Sequence, residues 1–202
     1  MSKKAEAVLR EVNLKRTTKE TNIDLKLNLD GKGESHVESG IGFFDHMLTG
    51  FAKHGLFDLT LNCTGDTDVD GHHTVEDCGI VLGNAIKEAV GDKKGIKRFG
   101  YFILPMDDAL VLCSIDLSGR PYFEYDVETN QEICGQFDTC LMREFFYAVS
   151  YSAEMNIHIK KLSGSNAHHI CEATFKAFAK ALDEATMKDP RIDDVLSTKG
   201  CL

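Results

Sequence analysis

Four of the eight histidines in this chain form two adjacent pairs, each followed by glutamate at the same spacing. The motif H-H-x-x-E occupies residues 72–76 and again residues 168–172. The glutamate lies four residues after the first histidine and three residues after the second. On a helix, both histidines therefore lie on the same face as the carboxylate. Adjacent histidines diverge by about 100°, which favours two metal ions over chelation of one. The motif therefore predicts metal ligands at His72, His73, Glu76, His168, His169 and Glu172.

Two further ligands are expected because they occupy corresponding places before each motif. His46 lies in a helix-patterned segment before the first motif, and Glu144 lies in a similar segment before the second, 98 residues later. Mixed imidazole and carboxylate ligation without thiolate fits Mn, Fe, Co, Ni or Zn, and composition does not choose among them. Three other histidines, His36, His54 and His158, are not expected to bind metal.

The acidic segment before the first histidine pair has a competing interpretation as a calcium loop. Residues 65–71 read Gly-Asp-Thr-Asp-Val-Asp-Gly, but the twelfth position counted from Asp66 is Asp77, where an EF-hand has glutamate. We interpret the segment as a loop that presents the histidines. Asp77 either orients a ligand or is a solvated helix residue.

Basic and hydroxyl side chains elsewhere could hold an anion. Taken singly, each is more simply a solvated surface group. Beside a metal centre in an acidic chain, they indicate a small phosphorylated substrate. The set consists of Arg98, Arg120, Lys176, Ser197, Thr198 and Lys199.

Composition bounds the class of protein. The chain has 202 residues, 43% hydrophobic and 27% charged, which is typical of an ordinary globular protein. Its 23 basic and 32 acidic residues give a net charge of −9, which argues against nucleic-acid and anionic-membrane partners. Seven cysteines without a C-x-x-C motif indicate reduced, mostly buried thiols. No apolar run approaches the ~18 residues of a membrane span, and no signal peptide is apparent, so we predict a cytoplasmic protein.

Hydrophobic periodicity predicts the same order of elements in both halves of the chain. In the first half we expect strands at 21–30 and 57–63 and helices at 43–54 and 74–90. In the second half we expect strands at 101–115, 122–127 and 156–162 and helices at 137–155 and 170–187. With the repeated motif, this order indicates an internal duplication within one α+β domain, 1–202, made of pseudo-repeats 1–94 and 95–202.

These residues closely resemble the imidazoleglycerol-phosphate dehydratase family. The resemblance covers nearly the whole chain and is carried by residues 16–21, 42–48, 65–77, 120–121, 166–180 and 197–199. It implies an α+β fold of two duplicated half-domains, each a small, mostly antiparallel sheet covered by two helices, similar to ribosomal protein S5 domain 2. It also implies a homo-oligomer of 24 subunits built from trimers, with active sites between subunits.

The resemblance assigns roles to individual residues. It implies two Mn²⁺ per active site, with other divalent metals possible, and metal ligands at His46, His72, His73, Glu76, His168, His169 and Glu172. Some members have histidine where this chain has Glu144, so a carboxylate replaces an imidazole there. Substrate contacts fall on Glu20, Arg98, Arg120, Lys176, Ser197 and Lys199, with Thr198 between the last two. As catalytic residues we expect Glu20, His46, His72, Glu76, His168 and Glu172.

The family's reaction explains why metal ions are needed. Elimination of water usually requires an acidic C–H beside a carbonyl group, and imidazoleglycerol phosphate has none. A metal ion on a ring nitrogen would lower the N–H pKa, and the resulting imidazolate could expel the hydroxyl next to the ring to give a diazafulvene-like intermediate. Loss of a neighbouring side-chain proton then gives an enol that tautomerises to imidazoleacetol phosphate. We expect Glu20 to move a proton and the basic residues to hold the phosphate.

Two other classes of function use some of the same residues. A metal-dependent phosphohydrolase would have the same ligands but release inorganic phosphate. A metal-binding or storage protein would need neither an organised anion site nor a base such as Glu20, and changes at Arg98 or Lys199 would not affect it. A phosphate-release assay and metal uptake without substrate distinguish these alternatives from the dehydratase.

Overall fold

The computed structural model describes residues 10–202 as two halves with the same order of elements. The first half contains β1 (Glu11–Thr17), β2 (Thr21–Asn28), β3 (Ser35–Glu38), α1 (Gly42–Gly55), β4 (Asp58–Gly65) and α2 (His72–Val90). The second contains β5 (Phe99–Met106), β6 (Ala109–Asp116), β7 (Tyr122–Asp126), β8 (Ile133–Cys134), β9 (Phe137–Asp138), α3 (Leu141–Ala153), β10 (Asn156–Ser163) and α4 (Ala167–Thr186). The prediction that the chain has no signal peptide concerns residues 1–9, which lie outside the described residues.

The two four-stranded sheets have the same topology. Their strand orders are β1-β2-β4-β3 and β5-β6-β10-β7. In each sheet the last pair, β3 with β4 and β7 with β10, is parallel, and the other pairs are antiparallel. The expected α+β fold with duplicated, mostly antiparallel half-domains is confirmed.

The correspondence extends to single residues of the first hairpin in each half. Arg16 pairs with Ile23 across β1 and β2, and Leu104 pairs with Val111 across β5 and β6, 88 residues later in both strands. The separation between the halves then increases because the small β8–β9 hairpin is inserted before α3. This register identifies which residues of the two halves are equivalent.

Inward-facing strand residues and the helices form the core. Alternate residues of β2 and β6 are buried because successive side chains of a strand point to opposite faces. The helices cover these faces and contact each other, α1 with α4 and α2 with α3. Gly79 and Gly83 permit the second contact, because a Cβ at either would lie 2.8 Å from a backbone carbonyl oxygen of α3. The helices that carry the two H-H-x-x-E motifs are thereby fixed within the core.

Several predicted boundaries were wrong. The predicted strand 101–115 is a hairpin that turns at Asp107 and Asp108, because Asp107 adopts a left-handed conformation at φ 49°. The predicted helix 137–155 begins only at Leu141, since Phe137 and Asp138 belong to β9. Strands β1, β3, β8 and β9 were not predicted because they are short or carry several charged residues.

The first helix, predicted at 43–54, extends one residue further at each end. Gly55 is its last helical residue, and the left-handed conformation falls on Leu56 at φ 59°. The glycine is needed for space, because a Cβ there would overlap the ring of Phe57.

Close contact between β5 and α4 gives a test of this packing. A Cβ at Gly100 would overlap the carbonyl oxygen of Ala181 and lie 2.7 Å from the backbone nitrogen of Ala185. Gly100→Ala is therefore expected to lower the free energy of unfolding by about 1–3 kcal/mol, because backbone atoms of α4 must move. Urea unfolding followed by circular dichroism measures this change.

Gly50 in α1 provides the matched control, since a Cβ there meets nothing within 4 Å. Gly50→Ala is expected to stabilise the protein by up to about 1 kcal/mol through helix propensity. Equal unfolding midpoints for Gly100→Ala and the unchanged protein would contradict the close packing of β5 on α4.

Candidate active site

One cluster of candidate metal ligands forms where α1 contacts α4. Glu172 Oε2 lies 3.2 Å from His168 Nε2 and 3.8 Å from His46 Nε2. Within residues 10–202 it is the one group of three or more such side chains whose donor atoms all lie within 4.8 Å of one another. His46 comes from the first half of the chain, so the cluster joins the two halves.

The environment of Glu172 keeps its carboxylate charged. Burial alone would raise the pKa of Glu172, but the hydrogen bond and charge of Lys176 lower it below the ordinary value. Lys176 Nζ lies 2.6 Å from Glu172 Oε1, whereas the two histidines face the other oxygen. A charged carboxylate therefore faces the imidazoles in the cluster.

The first motif forms a similar but less complete arrangement. His72 Nε2 lies 3.9 Å from Glu76 Oε2, one helical turn apart. The ring of His73 is nearly perpendicular to that of His72, with centroids 6.2 Å apart. Its Nδ1 lies 3.0 Å from Asp66 Oδ2, and its Nε2 lies 3.8 Å from Glu20 Oε1. The hydrogen bond to Asp66 raises the pKa of His73.

The second motif repeats this arrangement. His168 faces Glu172, and the plane of the His169 ring lies at 80° to that of His168. His169 Nδ1 lies 2.7 Å from Asp108 Oδ1, and its Nε2 lies 3.4 Å from Asp107 Oδ2. The pKa of Asp108 is held well below its usual range, first by the hydrogen bond from the backbone of Ser165 and then by the hydrogen bond with His169.

These contacts correct one expectation from the spacing. Only the first histidine of each pair lies within 4 Å of the motif glutamate among the described residues. The second histidine faces acidic residues from a strand connection, because it diverges from the first around the helix. Asp107 and Asp108 were not predicted as partners of His169. A signal was available, because Asp108 occupies the position in the second half that Glu20 occupies in the first.

Glu144 lies apart from the three-residue cluster. Its Oε1 pairs with Arg143 at 3.3 Å, and it lines a cavity with residues of the segment 125–143. Its helix, α3, packs against α2, as α1 packs against α4. His46 and Glu144 therefore occupy equivalent positions in the two halves, but within a single chain they contact different kinds of residue.

A second polar site lies between β5 and the C-terminal tail. A cavity of about 580 Å³ is lined by five of the expected substrate residues, namely Arg98, Arg120, Ser197, Thr198 and Lys199. Arg98 Nε and Nη2 donate to the carboxylate of Asp116 at 2.7 and 3.1 Å, and its Nη1 donates to the carbonyl of Leu196 at 2.7 Å. Arg98 thus orders the tail, whereas Arg120 and Lys199 leave positive charge for an anion.

The remaining expected substrate residues lie at the histidine groups. Lys176 is one turn beyond Glu172, and Glu20 is beside His73, with half of its side chain exposed. The histidines not expected to bind metal lie elsewhere. His36 is 3.5 Å from Glu38, His158 stacks on Tyr122, and burial, followed by the charge of Lys176, lowers the pKa of His54.

The donor set fits a divalent transition metal. Imidazole nitrogens and a charged carboxylate suit manganese and its neighbours, and among the described residues the cluster contains no cysteine. His46 and His168 are about half exposed, so exogenous ligands can reach their donor atoms. The pairs His72–Glu76 and His169–Asp108 offer further metal-binding atoms. In a single chain each pair has too few such atoms for a complete metal site.

Comparisons with known proteins agree on one family. A sequence profile described as imidazoleglycerol-phosphate dehydratase matches residues 39–182. Proteins of that name from Lachnoclostridium phytofermentans and Acetivibrio thermocellus are 63% and 56% identical, covering 95% and 96% of this chain and 97% and 99% of the relatives.

Solved structures show the same similarity. The crystal structure of IGPD from Pyrococcus furiosus in complex with (S)-C348 superposes with a TM-score of 0.82 at 41% identity, covering 94% of this chain and 100% of that one. The enzyme from Staphylococcus aureus gives 0.81 at 38% identity, covering 89% and 99%. In the described part of the chain, no helix is long and apolar enough to cross a membrane.

Proposed function

Because the chain belongs to the imidazoleglycerol-phosphate dehydratase family, a hydro-lyase family of histidine biosynthesis, we propose that it dehydrates imidazoleglycerol phosphate with the help of bound divalent metal ions. Family membership confirms the resemblance seen in the sequence and sets aside the phosphohydrolase and storage alternatives. The cluster of His46, His168 and Glu172 is the observation that carries the metal dependence.

Two manganese ions per site are proposed, with other divalent metals possible. The ligands would be the first-motif residues, the second-motif residues and His46, with Glu144 as a further carboxylate. The planes of adjacent histidine rings lie at 83° and 80° to each other with centroids 6.2 Å apart, which supports two ions in preference to one chelated by both. When bound, the ions supply Lewis acidity that makes the imidazole ring of the substrate easier to deprotonate.

Glu20 is proposed to move the proton at the side-chain carbon of the substrate. Its carboxylate is half exposed and lies 3.8 Å from His73, so it can reach both solvent and a ring held at the histidines. The backbone carbonyl of Glu20 accepts a hydrogen bond from Asp66 at 3.1 Å, which fixes its turn against the loop that precedes α2. A positioned carboxylate of this kind contributes about 10²- to 10⁴-fold to proton transfer.

Phosphate binding is proposed at Arg120, Ser197, Thr198 and Lys199, with Arg98 holding the tail in place. Arginine and lysine provide charge-assisted hydrogen bonds to phosphate oxygens. Lys176 is proposed to contact the substrate nearer the histidines, because it lies beside Glu172 and outside the cavity formed by the tail.

A homo-oligomer is proposed because, in a single chain, several of the proposed ligands have too few neighbouring ligands to complete a metal site. The assembly proposed is the one that the family resemblance implies, a 24-mer built from trimers with active sites between subunits, in which another copy would complete these metal sites. The seven free cysteines, five of them buried, support a cytoplasmic location where thiols stay reduced.

Turnover by metal-stripped protein, with and without added manganese, tests the proposal. We expect formation of imidazoleacetol phosphate to be lost on stripping and restored by Mn²⁺, without release of inorganic phosphate, because deprotonation of the substrate ring depends on the Lewis acidity of the ions. Product and free phosphate are measured together. Undiminished turnover after complete stripping would contradict metal dependence, and absence of the ketone with every divalent metal would contradict the proposed activity.

A further inference from the structure

A charged network links the turn that carries Glu20 to helix α2. Asp77 on α2 accepts a hydrogen bond from Thr21 Oγ1 at 2.5 Å and forms an ion pair with the guanidinium of Arg16 on β1. The Asp77 side chain is only 9% exposed, and that of Arg16 is 32% exposed. Asp77 follows Glu76 directly, and Thr21 follows Glu20 directly. The network therefore connects neighbours of a proposed ligand and of the proposed proton-moving group.

The second half of the chain builds the same junction without charge. By the strand register, Leu104 and Ala109 are the equivalents of Arg16 and Thr21. Ala173 follows Glu172 as Asp77 follows Glu76. All three are buried, at 9%, 1% and 0% exposure. The fold therefore accommodates an apolar triad where the first half has arginine, threonine and aspartate.

This contrast argues that the network has a role other than stability. A buried ion pair is often no more stabilising than well-packed apolar residues of similar volume, because removing charges from water offsets their attraction. Hydrogen bonds and ion pairs do, however, fix direction more tightly than apolar contacts. The charged version occurs in the half whose turn carries the proposed proton-moving group.

The turn itself is short and held at each end. The hydroxyl of Thr18 accepts hydrogen bonds from the backbone of Glu20 at 3.1 Å and of Thr21 at 2.9 Å. Asp77 then fixes Thr21 to α2, which also carries His73. Glu20 thereby stands in a defined position relative to the histidine, at 3.8 Å.

We propose that Asp77, with Arg16 and Thr21, is a positioning residue that holds the Glu20 carboxylate at the reacting carbon. The inference rests on the proposed role of Glu20 in proton transfer. Loss of the network leaves the metal ligands in place but lets the turn shift. A misplacement of about 1 Å at a reacting group can cost on the order of 10²-fold in rate.

The second half of the chain supplies the test variant, Arg16→Leu/Thr21→Ala/Asp77→Ala. We expect it to fold and to retain its metal content, with kcat lowered about 10- to 100-fold and KM little changed. The decisive measurement places the triple change in a Glu20→Gln background. Because the network acts through Glu20, we expect no further loss of kcat there. Lys15→Ala, which removes an exposed ion pair with Asp24 on the same two strands, is the control.

Different outcomes separate the inference from the proposed function. If Glu20→Gln leaves turnover unchanged, the role of Glu20 fails. Suppose that Glu20→Gln lowers kcat. The positioning role alone is then overturned if the triple variant keeps normal kcat, or if the triple change lowers kcat by the same factor in the Glu20→Gln background as in the unchanged protein. Should the triple variant not fold, Thr21→Val removes only the hydroxyl and takes its place. Thr21→Val must then lower kcat in the unchanged protein and cause no further loss in the Glu20→Gln background.

Discussion

Glu172→Gln is expected to release metal from the cluster at the α1–α4 contact and to lower kcat by at least about 10³-fold. Glu172 presents one oxygen to His46 and His168 and the other to Lys176. An amide of the same shape removes the negative charge that attracts the cation and leaves the ammonium of Lys176 without an oppositely charged partner. Metal content per subunit and kcat, measured on the same sample, test this.

An exposed glutamate on the other motif helix provides the control for this variant. Glu88 lies in the last turn of α2, away from the motif, so Glu88→Gln is expected to leave metal content and kcat unchanged. Full metal content and normal kcat in Glu172→Gln would remove this residue from the site, whereas full content with low kcat would assign it a role other than metal retention.

Glu20→Gln is expected to lower kcat by about 10²- to 10⁴-fold while metal content stays normal. The glutamine keeps the size of the side chain but can neither accept nor return a proton. Glu20 also contributes through its backbone to the contact with Asp66, and this contact does not depend on the side chain. Measurement of kcat, metal content and the pH dependence of kcat/KM distinguishes lost proton transfer from lost metal.

Asp24 lies on β2, which Glu20 directly precedes, and serves as the control for Glu20. Its carboxylate is exposed and pairs with Lys15, so Asp24→Asn is expected to leave kcat unchanged. Unaltered turnover in Glu20→Gln would exclude Glu20 from the mechanism, and an equal loss in both variants would indicate a general effect of negative charge in the β1–β2 hairpin.

Local spacing in the sequence was sufficient for contacts within one helix. The first histidine of each motif faces its glutamate, as predicted, because residues four apart on a helix always lie on the same side. The repeated order of strands and helices was also visible, since side-chain burial follows the period of each element. The short strands escaped prediction because two or four residues carry little periodicity.

Contacts between distant parts of the chain could not be read in this way. His46 and Glu144 occupy similar places in the sequence, yet only His46 lies in the three-residue cluster, and its partners come from the other half of the chain. That result depends on which helix faces which across the core.

The sequence by itself determined the family, the duplicated α+β fold and the set of candidate ligands, because these depend on residue identity and local period. Only the tertiary structure decided that the second histidines face Asp66 and Asp108, that five of the expected substrate residues share one cavity, and that Asp77 is hydrogen-bonded to the turn of Glu20. These features arise from strand register and helix packing, which bring together side chains that no spacing along the chain relates.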